Sequence, residues 1–341
     1  MDLHLIWFML LGVLLAGYAV LDGFDLGVGI LHPLARTDSE RRAFLNCIGP
    51  IWDGNEVWLV TFGGALFAAF PMAYATVFSG FYLAFMLLLF ALIFRAVSIE
   101  FRSKRPGKAW RGAWDFGFFL SSLVASLLFG VGVGNAMLGL ALDARGVYVG
   151  SFFDLLNPYA LGVGLLTVAM FAVHGALYVA LKLHPGPLLD RVRAWTWHSW
   201  GIFLVLYIMG TIVTLMRVPH ATANFERYPW AAAVVIVNVL ALANIPRSVH
   251  LGRPREAFLS SVLTIVALVG LLGLGLWPNL VTATNDAANS LTVYRAASSP
   301  GTLRTMLIIA GIGMPFVLVY TTAVYWTFRG RVHVEEDGKG Y

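Results

Sequence analysis

Nine stretches of almost unbroken apolar residues leave this chain very few folds. A run of about 20 residues, rising 1.5 Å per residue as a helix, crosses the roughly 30 Å hydrocarbon layer of a bilayer. Hydrocarbon offers the backbone no hydrogen-bond partner, so only helices and closed barrels span it. The runs are continuous rather than alternating, which excludes a barrel. They fall at about 4–31, 50–71, 75–100, 113–138, 158–182, 197–217, 230–248, 257–278 and 303–328. Composition agrees, with 12% of residues charged against about a quarter in soluble domains. The reading is an all-α polytopic membrane protein of nine transmembrane helices.

The connections orient the spans. Seventeen of the 23 lysines and arginines fall at alternate loops: 36–42, 102–111, 182–193, 247–255 and 329–339. Five lie at the opposite ends (Arg145, Arg217, Arg227, Arg295 and Arg304), and Arg95 lies within a span. Basic loops stay cytoplasmic, so the N-terminus is expected outside and the C-terminus in the cytoplasm. This also explains the net charge of +5 without nucleic acid as a partner. The first span is too long, and its flank Met1-Asp2-Leu3-His4 too poor in basic residues, for a cleaved leader. It is expected to be retained.

No soluble domain interrupts the pattern. Residues 1–140 read as a first four-helix bundle, 157–280 as a second, 302–330 as a peripheral ninth helix and 331–341 as a cytoplasmic tail. Phe119-Leu-Ser-Ser122 in span four matches Phe258-Leu-Ser-Ser261 in span eight, and Trp52-Asp53 matches Trp197-His198. An even number of helices per copy makes such a repeat parallel rather than inverted.

The chemistry concentrates where span two begins, at Trp52-Asp53-Gly54-Asn55-Glu56-Val57-Trp58. A carboxylate inside hydrocarbon costs about 2.5 to 3.5 kcal/mol on insertion scales and commonly marks an ion or proton path. Asp53 and Glu56, three apart, share a helix face. Asp22 and Asp25 lie in the same half of span one, Arg95 and Glu100 towards the end of span three, and Asp115 at the start of span four. The second half of the chain carries no such set, apart from Glu256 at a boundary. The first bundle is therefore expected to hold an acidic, water-tolerant inlet facing the cytoplasm, with Trp52, Asn55 and Asp22 lining it. A static ion-pair network closing the bundle accounts for the same residues, most readily for Asp22, Glu100 and Asp115 near an interface.

Metal chemistry finds little support. Cys47 stands alone, so no cysteine-built centre or internal disulfide exists. His174 is the one histidine deep in a span, and no paired ligand spacing accompanies it. No metal site or catalytic residue is expected on this chain, and no phosphate-binding loop or nucleophile elbow occurs.

At these residues the chain resembles subunit II of the cytochrome bd quinol oxidases. The likeness rests on Leu21-Asp-Gly-Phe-Asp-Leu-Gly27, Trp52 to Trp58 with Gly63-Gly-Ala-Leu-Phe-Ala-Ala-Phe-Pro71, and Phe94-Arg95. Gly134-Asn135, Asn157-Pro-Tyr159, His174-Gly175, Ala297-Ser-Ser-Pro300 and Tyr325-Trp326 continue it in order. The resemblance implies a nine-helix subunit that supports a haem-bearing subunit I, which carries two b-type haems and haem d. The complex would oxidise membrane quinol and reduce oxygen to water without pumping, in a bacterial cytoplasmic membrane. Cytoplasmic protons would pass through subunit II, with the family's aspartates falling on Asp53, Asp25 and Asp115 and its arginine on Arg95. Relatives sometimes add a small single-helix subunit, or hold a structural quinone in subunit II. Glu56 departs from the glutamine of some relatives; it can carry protons or only pair with Arg95. Two other readings stay open: a purely structural assembly subunit and a secondary transporter.

Overall fold

A computed structural model of the chain describes residues 2–332, so the expected tail lies, from residue 333 on, outside the described residues. In chain order its helices are α1 (Leu3–Leu31), α2 (Asp38–Ile48), α3 (Trp52–Ala69), α4 (Pro71–Gly80), α5 (Tyr82–Phe101) and α6 (Lys108–Leu138). There follow α7 (Pro158–Lys182), α8 (Pro187–Arg217), α9 (His220–Arg227), α10 (Ala232–His250), α11 (Pro254–Leu276) and α12 (Pro300–Thr327). A short antiparallel pair, β1 (Asn279–Val281) and β2 (Leu291–Thr292), precedes α12.

The helix starts are written locally. Asp2, Asn157 and Ser299 cap α1, α7 and α12 by accepting from amides of the first turn, which satisfies donors the helix leaves unpaired. Proline opens α4, α7, α8, α11 and α12, where its missing N–H removes no helical bond. Eight helices are long and apolar enough to cross a membrane: α1, α5, α6, α7, α8, α10, α11 and α12. The remaining expected span, 50–71, is α3, an 18-residue helix with Asp53 and Glu56 in its first two turns.

Three boundaries differ from the sequence reading. The span expected at 75–100 is two helices, α4 and α5, divided at Phe81. The span expected at 197–217 begins ten residues earlier, at Pro187, so Trp197-His198 lies inside α8 rather than at its start. Its first turns bury Leu188, Leu189 and Val192 along the rim, an amphipathic pattern outside the apolar run. Helix α2 was not expected at all. It is short and polar on average, but Thr37 caps it by accepting from the Glu40 amide at 3.2 Å, a start signal legible as Thr-x-x-Glu.

Helix α1 is the axis of the molecule, packed against α3, α6, α7 and α11. On one side α5 packs against α6; on the other α8 packs against α7, and α10 against α11. Where α1 crosses α7 the backbones touch: a Cβ on Gly27 would lie 1.9 Å from the Phe171 carbonyl oxygen, and one on Gly175 would lie 2.5 Å from the Gly27 carbonyl carbon. Helix α12 lies outermost, against α1 and α3. The ends bearing most of the loop lysines and arginines gather at one rim, called here the basic rim. Arg191 of α8 pairs there with Glu40 of α2, and the Tyr178 hydroxyl of α7 donates to the Cys47 carbonyl at 3.3 Å. At the opposite rim the loop after α6 interlocks with the loop before α12. Asn285 brackets Leu142, accepting from its amide at 3.0 Å and donating to its carbonyl at 2.8 Å.

Candidate functional site

Most acids of the first group of helices divide into two networks, with Asp53 and Glu100 exposed outside them. The deeper one joins α1, α3 and α5. Arg95 Nη2 donates to Asp22 Oδ1 at 2.6 Å and also to Glu56 Oε1. Asp22 and Arg95 are both at 0% exposure, whereas the Glu56 side chain retains 26%. Beside them Asn55 Nδ2 donates to Asp25 Oδ2 at 2.7 Å and to the Leu21 carbonyl at 3.0 Å. The Tyr325 hydroxyl of α12 donates to Asn55 Oδ1 at 2.9 Å. An isolated buried charge is prohibitive, and pairing is what lets these groups stay inside.

The pairing is incomplete. Tyr18 Oη, Asp22 Oδ2, Asp25 Oδ1, and Arg95 Nε and Nη1 are buried without a hydrogen-bond partner on the protein. Buried polar atoms are almost always satisfied, by ordered water where protein does not reach. Five such atoms on four side chains around one ion pair make this a place that water would fill.

The second network lies towards the basic rim. Asp115 of α6 accepts from His32 Nε2 at 2.6 Å, from Arg102 Nε at 2.5 Å and from Arg41 Nη1 at 3.2 Å. Arg102 also reaches Asp38 at 2.7 Å, as does Arg111 at 2.9 Å. His32, just past the end of α1, follows Asp25 by seven residues, and Arg102, just past the end of α5, follows Arg95 by seven. Two helical turns, about 10 Å, therefore separate the networks along shared faces. Ser98 sits between them, three residues beyond Arg95 and four before Arg102. It is buried, and its hydroxyl has no protein partner.

At the rim Asp38 and Glu40 titrate abnormally. Burial alone would raise the Asp38 carboxyl, but the Arg102 hydrogen bond and the charges of Arg102, Arg111 and Arg42 outweigh it and hold the group below its usual range. Glu40 is likewise lowered, its burial outweighed by Arg191 and by the Arg36 and Thr37 backbone. Burial pushes the Cys47 thiol up to about 12, so it stays protonated and unreactive.

The sequence-predicted residues are thus placed as follows. Asp22, Asp25, Asn55, Glu56 and Arg95 meet in one network. Asp53, on the turn before Glu56, is exposed in a groove of about 460 Å³ between α3 and α12 that Asn55, Thr61, Tyr320 and Tyr325 also line. Trp52 is buried in the core and does not line that groove. Asp115 belongs to the second network rather than to the first. Glu100 is exposed and stands outside both networks. Sequence reasoning missed His32, Arg102 and Asp38, although the seven-residue spacings from Asp25 and Arg95 announce the first two. It also missed Tyr325 as part of the site, which no local pattern on α12 announces.

Two histidines are buried among the described residues. His174 Nδ1 lies 2.7 Å from Ser261 Oγ and its Nε2 3.0 Å from the Val20 carbonyl oxygen, so both ring nitrogens serve packing. His32 gives Nε2 to Asp115. Among the described residues no group of three or more His, Cys, Asp or Glu could hold a metal ion. Both ring nitrogens of His174 are thus taken, which leaves none for an axial haem ligand.

Fold and site together define a polytopic helical membrane protein that buries a hydrogen-bonded carboxylate network on one side of its central helix. The family model of cytochrome bd terminal oxidase subunit II matches residues 3–328, and the chain belongs to that family. It is 38% identical to the cytochrome bd-I ubiquinol oxidase subunit 2 of Escherichia coli K12, over 98% of this chain and 96% of that one. It is 33% identical to the cytochrome bd ubiquinol oxidase subunit 2 of Bacillus subtilis 168, over 98% of each. Its fold matches a chain of the bd oxidase from Geobacillus thermodenitrificans with a TM-score of 0.79 and 16% identity, covering 96% of this chain and 99% of that chain.

Proposed function

We propose that this chain supports a haem-bearing partner subunit in a quinol-oxidising, oxygen-reducing complex of a bacterial cytoplasmic membrane, and conducts protons to it from the cytoplasmic side. The haems belong to the partner in this reading, where they reduce oxygen to water. This chain's residues take up, hold and pass the protons. The basic rim is cytoplasmic by the distribution of loop lysines and arginines.

The observation that carries the reading is a graded set of carboxylates: Asp53 exposed in its groove, Glu56 partly exposed on Arg95, and Asp22 and Asp25 fully enclosed beyond them. Asp53 takes a proton from water at the groove. Glu56, shared with Arg95, couples the groove to the enclosed pair. Arg95, held by Asp22, keeps the net charge of the site low enough to bury. Asp25 has one oxygen pinned by Asn55 and one free, the arrangement of a group that accepts and releases a proton. The second network, through Asp115, His32 and Ser98, lies two turns nearer the rim and offers water a parallel approach.

A purely structural subunit would hold the same ion pairs for assembly alone. An enclosed pair such as Asp22–Arg95 suits that role, but an exposed Asp53 and five unsatisfied buried polar atoms do not. The readings separate in Asp53→Asn within a fully haem-loaded complex. Conduction predicts slower oxygen consumption per haem with an altered pH dependence; unchanged consumption and pH dependence would refute the relay.

A further inference from the structure

The outermost helix sends one side-chain hydrogen bond into the bundle among the described residues, and it lands on the amide that holds Asp25. We propose that Tyr325 of α12 is the positioning residue for Asp25, acting through Asn55. This deepens the proton-conducting reading above and rests on it.

The chemistry of Asn55 carries the argument. Its amide has three partners: the Asp25 carboxylate, the Leu21 carbonyl and the Tyr325 hydroxyl. The first two are acceptors, so the NH2 must face them, and the amide oxygen is left for Tyr325. A carbonyl-type oxygen only accepts, so the phenol donates its hydrogen to Asn55 and cannot donate it elsewhere. Without that donor the amide oxygen would be buried and unsatisfied, which is unfavourable. Rotation of the amide to relieve this would turn its oxygen onto Asp25. Tyr325 therefore fixes which face of Asn55 meets the carboxylate. It pins Asp25 Oδ2 and leaves Oδ1, which has no protein partner, as the oxygen that exchanges protons.

The position of Tyr325 is itself held. It lies in the last turns of α12, and just beyond them Lys182 Nζ of α7 donates to the Phe328 carbonyl and, at 3.2 Å, to that of Gly330. The Val332 amide returns a bond to the Lys182 carbonyl at 2.7 Å. Tyr325 also lines both the α3–α12 groove and a second hollow that Leu21, Thr321, Trp326 and Arg329 share. Its ring therefore borders the groove that holds Asp53, while its hydroxyl reaches the amide that holds Asp25. Helix α12 is a wall of the relay rather than a bystander to it.

The test uses the purified two-subunit complex with haem content measured, in Tyr325→Phe, Asn55→Ala, the double variant and Asp25→Asn. Two quantities are read: oxygen consumption per haem, and the infrared carbonyl band of protonated Asp25, assigned by its loss in Asp25→Asn. Tyr325→Phe keeps the ring and removes only the hydroxyl. It should slow consumption about fivefold, the size of one net hydrogen bond, and shift or split the Asp25 band. In the double variant it should add nothing to Asn55→Ala, since both remove one chain of contacts. A silent Tyr325→Phe with an unmoved band, or fully additive effects, would overturn the inference while a slow Asp25→Asn left the relay standing. Native consumption in Asp25→Asn would overturn the relay reading itself.

Discussion

Buried charge is tolerated in this chain only where it is shared. Arg95 answers both Asp22 and Glu56, and Asp115 answers His32, Arg102 and Arg41, whereas Asp25 meets only the neutral amide of Asn55. Asp38 shows what such sharing does to acid stability. Its carboxyl is held below the ordinary value in the folded chain, so it binds its proton less readily folded than unfolded. That contribution is complete above the ordinary carboxylate value of about 4 and is lost as pH falls through the lowered folded value. The melting temperature of the detergent-solubilised protein should therefore drop as pH is taken from neutral to about 3. Asp38→Asn should flatten that drop, and an equally steep profile in the variant would show that Asp38 contributes nothing. At this scale the sequence exposed much of the site. Acids placed in apolar spans are costly enough to be conspicuous, so Asp22, Asp25, Glu56 and Arg95 stood out before any geometry. It did not show that Asp115 belongs to a separate network, because Arg102 and His32 look like ordinary rim residues until α1 and α5 are laid side by side.

Helices were legible in proportion to their apolar length. The long apolar spans emerged from hydropathy because lipid forces each to satisfy its own backbone. What escaped were elements decided by packing at the rim. Helix α2 is amphipathic rather than apolar, and the first ten residues of α8 bury only one face, at Leu188, Leu189, Val192 and Thr196. The crossing of α1 and α7 belongs to the same class. The glycines at 27 and 175 admit close contact, but which helix fills the space was not written in α1. Gly27→Ala places a methyl against backbone atoms of α7 that cannot rotate away. It should force the helices apart at a cost of about 1 to 3 kcal/mol or more, seen as a lower melting temperature and less monodisperse protein. Gly12→Ala, with nothing within 4 Å of the new Cβ, should melt like the native chain. Equal behaviour of the two variants would contradict the close crossing.

As a whole, the molecule places its titratable interior on one side of its axis. Asp22 and Asp25 of α1, with His32 just beyond its end, meet α3, α5 and α6, while α7 meets α1 through His174 and glycine-mediated contact. The sequence showed this asymmetry directly, since the spans of the second half carry no carboxylate apart from Glu256 at a boundary. It could not show that α12 closes the site, because a residue 270 positions from Asn55 is brought there by tertiary packing alone. The central claim is that this side conducts protons to a partner. The most direct measurement follows proton uptake from the cytoplasmic face, with the haem-loaded complex in vesicles, a pH-sensitive dye on that side and a pulse of oxygen. The account predicts that Asp25→Asn, at equal haem content, slows that uptake about a hundredfold or more, the lower end of what one proton-transfer group contributes when it is lost. Uptake as fast as in the native complex would contradict it and leave the buried acids to assembly alone.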